Sequence, residues 1–165
     1  MKSWRWIAVA IALLVLASLP WWGSDVLVQF GINALLLAVL AQGWNIIGGY
    51  TGYASFGNSV FYGLGSYGVA IAMAQWQLPF AVGLVFGVVL AVVFALLLGV
   101  PVLRLRGHYF AIATLALAGV MAAIVSNIPL AGQNIGLVLP PLNNDRLFYG
   151  LSLGLLVIAT GVVFW

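Results

Sequence analysis

The chain has 165 residues, 65% hydrophobic and 4% charged, against roughly 25% charged in soluble domains; a water-soluble globular fold is excluded and an integral membrane protein is expected. Five basic and two acidic side chains give a net charge of +3, which is no nucleic-acid signature, and the absence of cysteine removes both a disulfide framework and thiolate metal ligation. The single histidine, Asp25 and Asp145 lie far apart in the sequence, so a metalloenzyme or a carboxylate-pair hydrolase has little to work with. No catalytic residue and no metal site is expected.

Lys2 and Arg5 precede an apolar run from Ile7 to Leu19. A signal peptide would start in the same way, but Pro20, Trp21 and Trp22 stand where a cleavage site of small residues belongs. The run therefore reads as a retained anchor from Trp4 to Trp22, about 28 Å long at ~1.5 Å per residue, with tryptophans at both interfaces. A second span covers Val26 to Ile47. It carries Gln29 and Asn33 four apart, and Gln42 and Asn45 three apart, so each pair can share a helix face. Such amides either hydrogen-bond between helices and fix packing or, for Gln42 and Asn45 beside the segment that follows, line a pathway.

Gly48 to Ala74 organises the rest. Glycines at 48, 49, 52, 57, 63, 65 and 68 alternate with Tyr and Phe, and no acid or base interrupts them. In water this would read as loop, because glycine is a poor helix former. Between apolar segments it reads as a helix, Tyr53 to Ala74, packed closely among others. Its first part, 48–57, is polar and glycine-rich enough to be unwound, and unwound backbone at membrane depth is tolerated where protein covers it or where it lines a watery cavity. Thr51, Ser55, Asn58, Ser59 and Tyr62 fall here. Asn58 and Tyr62 are one helical turn apart, as are Ser55 and Ser59. These groups either bond neighbouring backbone or present neutral polar atoms to a small solute.

Gln75 to Leu78 is a short turn. The fourth span, Pro79 to Leu103, repeats small residues every fourth position, Gly83, Gly87, Ala91, Ala95 and Gly99, which draws a smooth stripe along one face for close helix packing. Arg104, Arg106 and His108 then break the apolar pattern. They are a cytoplasmic cluster that either holds topology and touches anionic lipid or forms a docking surface or gate at the inner mouth. Tyr109 to Ile128 is a fifth span, 129–146 a turn-rich loop, and Leu147 to Trp165 a sixth span. With strict alternation from a cytoplasmic amino terminus, Lys2, Arg5, Arg104 and Arg106 share the inner side, as the positive-inside rule asks. No acidic group lies inside a span, so a proton- or sodium-coupled carrier lacks its usual carboxylate. The apolar ending at Trp165 suggests a fragment or a truncated gene product.

Two stretches carry a resemblance. GGYTGYASFGNSVFYGLGSYG at 48–68 and RLRGHYFAIATLA at 104–116 closely resemble the LivM-like permease subunits of bacterial branched-chain amino acid ABC transporters. Sister permeases for urea and short amides have a glycine-rich stretch similar to the first. The loop LAGQNIGLVLPP at 130–141 is loosely similar to the family's Thr-Gly-Gly-x-x-Gly loop: Gly132 and Gly136 are present, while the threonine and first glycine are replaced and the spacing differs. The resemblance covers nearly the whole chain but about the first half of a family member.

It implies an all-α polytopic helical bundle of about six transmembrane helices, a single permease domain over 1–165 truncated at its carboxyl end. It further implies work beside a second permease, cytoplasmic ATPase subunits and a periplasmic solute-binding protein, in the bacterial inner membrane. This chain would bind no cofactor. ATP would be used by the partner ATPase, in keeping with the absence of a GxxxxGK[ST] loop. The expected function is alternating-access import of branched-chain, hydrophobic amino acids. A urea or amide permease and a non-transporting remnant are the alternatives. Gln42, Asn45, Thr51, Asn58 and Tyr62 are the pathway candidates, with Arg104, Arg106 and His108 at the inner face.

Overall fold

The computed structural model describes residues 14–140, 142 and 144–164, and their regular structure is entirely helical. A helical stretch at 14–22 (α1) is followed by α2 (Asp25–Thr51), α3 (Asn58–Ala74), α4 (Phe80–Val102), α5 (His108–Asn127) and α6 (Asp145–Phe164), with a 3₁₀ turn at Pro129–Ala131 between α5 and α6. The expected first span from Trp4 lies partly outside the described residues, as do Lys2 and Arg5. Four of the described helices, α2, α4, α5 and α6, are long and apolar enough to cross a membrane. Large side chains such as Val85, Leu96 and Ile112 stand exposed along them, as expected of helices whose outer surface meets lipid rather than water.

The third expected span is shorter than the sequence suggests. Helix α2 continues through Gly48 and Gly49 to Thr51, and the irregular segment is 52–57, not 48–57. The helix-forming penalty of glycine is outweighed at 48 and 49 because a backbone leaving the helix there would strand its N–H and C=O groups in an apolar setting. The stop comes at Gly52, whose φ of +70° is left-handed and whose N–H returns to Gly48 O at 3.0 Å, an ending that glycine adopts at little cost. Helix α3 consequently has 17 residues, about 25 Å at ~1.5 Å per residue, less than the ~30 Å of hydrocarbon. Ser55 precedes it, so Ser55 and Ser59 do not share a helix face as expected.

The described residues within 1–45 and 142–164 form one compact unit, and those within 46–140 another. In the first, Val28 and Leu35 of α2 and Tyr149 of α6 make the core, with Leu19, Leu153 and Leu156 packed against it. Tyr149 is 1% exposed, and its hydroxyl donates to Leu16 O at 2.8 Å. A Cβ on Gly31 would stand 2.6 Å from the Tyr149 ring. Asn33 donates to Gln29 O of its own helix at 3.0 Å, where a bond between helices was expected.

In the second unit α3 packs chiefly on α4, and the small-residue stripe is the reason. A Cβ on Gly87 would stand 2.5 Å from Gly65 O, and one on Gly68 would stand 2.7 Å from Gly87 Cα. The two backbones touch with no room for a side chain. Further along the stripe, nothing lies within 4 Å of a Cβ built on Gly99. The helices separate there, and a cavity opens.

Candidate solute site at the break between two helices

Residues 52–57 run as irregular, non-helical chain from the end of α2 to the start of α3, held from the side by α5. The Tyr53 ring lies 5.7 Å from that of Phe110, centroid to centroid. The Phe56 N–H donates to Thr114 Oγ1 at 3.1 Å, and Thr114 Oγ1 donates to Ala111 O at 2.9 Å. Ser55 and Thr114 are each 4% exposed. The segment thus has no helical ladder of its own, and non-local bonds hold it in place.

Beneath it lies a half-enclosed cavity of about 270 Å³, near the lower end of small-molecule sites at ~300 Å³. Thr51, Ser55, Gly57 and Phe61 form one wall, Ala95 and Gly99 of α4 a second, Phe110 and Thr114 of α5 a third. The ends of α2 and α4 and the starts of α3 and α5 therefore meet at one level.

Its electrostatics are plain. No charged side chain lines the cavity, and its three hydroxyl groups are tied to backbone. Thr51 Oγ1 donates to Ile47 O at 2.6 Å and accepts from the Tyr53 N–H at 3.3 Å, while Ser55 Oγ accepts from the Gly57 N–H at 3.3 Å. A wall of this kind favours apolar groups and gives a charged one nothing to pair with.

The pathway candidates are not all gathered here. Thr51 lines the cavity. Asn58, half-buried on the first turn of α3, does not. Tyr62 borders a separate groove of about 320 Å³ between α3 and α4, beside Gly87 and Ala91. Gln42 and Asn45 belong to the first unit; Gln42 Oε1 is buried without a hydrogen-bond partner, and Asn45 is exposed. Arg104 and Arg106 are exposed in the turn from α4 to α5, and His108 is exposed at the first position of α5; the turn closes through Gly107 at φ +59°. Two residues of the site carry weight beyond the expected set. Ser55 stands in the glycine-rich stretch, and Thr114 stands in the second resembling motif, the only threonine of α5.

Residues 26–140 match the model of the family described as "Branched-chain amino acid transport system / permease component", a stretch that contains the whole cavity. The chain belongs to this permease family. Over 118 residues it is 34% identical to the high-affinity branched-chain amino acid transport system permease protein LivM of Escherichia coli K12 and 32% identical to that of Salmonella typhimurium LT2. Each match covers 71% of this chain and 28% of the relative's length. No solved structure matches the chain. The family so described is a transport permease component, and four of the described helices here are long and apolar enough to cross a membrane. Among the described residues no group of His, Asp or Glu is placed to hold a metal ion.

Proposed function

We propose that this permease is the membrane-spanning component of an ATP-driven importer for branched-chain, hydrophobic amino acids, working by alternating access in the bacterial inner membrane with its amino terminus cytoplasmic. A second permease subunit, cytoplasmic ATPases and a periplasmic solute-binding protein complete the system. The observation that carries the reading is the family match over 26–140, a region that holds an apolar cavity at a break between helices.

Two features support it. Asp25 and Asp145 stand in the first turns of α2 and α6, so no carboxylate is placed mid-span for ion coupling, and energy from a partner's ATP fits. The cavity's apolar wall suits an alkyl side chain. Urea, which is all hydrogen-bonding surface, would leave its groups unpaired there, and this weighs against the urea and amide alternative. In the scheme Gln42, Asn45, Asn58 and Tyr62 contact solute elsewhere along the pathway, and Arg104, Arg106 and His108 face the cytoplasm.

The test is uptake of radiolabelled leucine, with urea as control, by cells deleted for their own importer and supplied with this chain and its partner subunits. Leucine uptake above background, without urea uptake, is expected. Uptake of urea alone would assign the chain to the amide-permease alternative, and uptake of neither would leave the non-transporting reading.

A further inference from the structure

The stripe of α4 changes its task halfway along. At Gly83 and Gly87 it meets α3: an added Cβ at Gly83 would find Val69 O at 3.4 Å and Ala72 Cβ at 3.5 Å, and at Gly87 the approach is closer still. Three turns on, an added Cβ at Gly99 meets nothing within 4 Å, and Gly99 and Ala95 instead form a wall of the cavity. Packing therefore does not call for a glycine at 99. The cavity does, because a larger side chain there would project into it.

The chemistry of the remaining wall limits what can enter. Phe61, Phe110, Leu98 and Leu117 are apolar, each hydroxyl oxygen is engaged with backbone, and no ionised group is present. Apolar cavities of this sort stay dry and take small apolar molecules. An ammonium or carboxylate would enter unpaired, at a cost of several kcal/mol at least. Resting on the import reading above, we propose that this cavity is the specificity subsite for the uncharged, branched alkyl group of the solute, with Ala95 and Gly99 as the residues that set its size. The solute's charged ends stay outside it.

The experiment uses the full chain in membrane vesicles and a photoactivatable probe, a short branched alkyl alcohol carrying a diazirine, with adducts mapped by mass spectrometry. Adducts are expected on the peptides carrying Ser55, Phe61 and Leu117, reduced by excess isoamyl alcohol. Gly99→Leu should lower their yield about tenfold, equivalent to roughly 1.4 kcal/mol of overpacking, while the chain accumulates normally. Gly119→Leu, also at a position with open space around its Cβ, should leave the yield unchanged.

Adducts elsewhere, equal labelling of parent and Gly99→Leu, or displacement by lipid acyl chains but not by isoamyl alcohol would each overturn the proposal. The readout needs no transport, so its failure is separable from that of the import reading. In the uptake assay Gly99→Leu should discriminate by size, losing leucine before alanine. A uniform loss across solutes would mark Gly99 as a structural position instead.

Discussion

Phe56 and Thr114, 58 residues apart, are joined by a backbone N–H donated to a threonine hydroxyl at 3.1 Å. This bond fixes the break between α2 and α3 to the first half of α5, and with the Tyr53–Phe110 ring contact it places the wall of the cavity. Replacing Thr114 by valine keeps the shape and removes the acceptor, leaving a partly buried N–H unpaired. A loss of about 1–3 kcal/mol is expected, seen as a lower melting temperature in lipid nanodiscs. Thr114→Ser should restore most of it. Equal stability of the valine variant and the parent would mean the bond holds nothing.

Gly87 is the second test of how this unit is assembled. Because a Cβ there would stand 2.5 Å from Gly65 O and 2.9 Å from Val69 Cγ2, Gly87→Leu forces α3 and α4 apart and should abolish accumulation of folded chain in the membrane. Packing through small residues is what holds helices together where no hydrophobic drive acts between them. Wild-type accumulation and resistance to protease would contradict the contact.

The first unit offers a cleaner pairwise measurement. Gly31→Ala places a methyl group against the Tyr149 ring and should destabilise the chain, but much less so once Tyr149 is alanine. The difference is a coupling energy of about 0.5–3 kcal/mol, the range of directly touching residues. Tyr149→Phe alone removes the bond to Leu16 O and should cost about 1 kcal/mol. Additive effects of the Gly31 and Tyr149 changes would show that the two residues do not meet.

Much of this fold could be read from periodicity and composition. The second, fourth and fifth spans fall close to α2, α4 and α5, the turn at 75–78 is present, and the Gly83–Gly87 half of the stripe packs as its spacing implies. What misled was local glycine content. Gly48 and Gly49 look like a break, yet a helix surrounded by apolar groups holds its backbone bonds through them, and only Gly52 turns left-handed. Thr114 could not be found in the same way. Its partner is an N–H far off in the chain, and no local pattern records a bond of that kind; the one clue was a threonine among apolar residues within a motif that resembles the family. Thr51 was placed at the site by its neighbours in sequence, while Tyr62, on the same reasoning, borders a different groove because α3 starts at Asn58 and sets its own rotation.

The orientation proposed for the chain is open to direct test. The sequence contains no cysteine, so single cysteines at Arg106 and at Ile135, which is 93% exposed, report their side without further engineering. A membrane-impermeant maleimide should label Ile135→Cys in intact cells from the outside and Arg106→Cys only in inverted vesicles. Labelling of both from the outside would overturn the alternation of spans and the inner placement of the arginines.

The shortness of α3 also ties the permease to the lipid around it. If α3 lies across the bilayer, one a few Å thinner than average would match the 17-residue helix and bring residues 52–57 toward headgroups and water. A thicker one draws their non-helical amides toward hydrocarbon, at a cost of fractions of a kcal/mol per Å of mismatch. Acyl-chain length is thus a lever on the cavity itself, since the segment that lipid thickness would push or pull is the one that forms its wall.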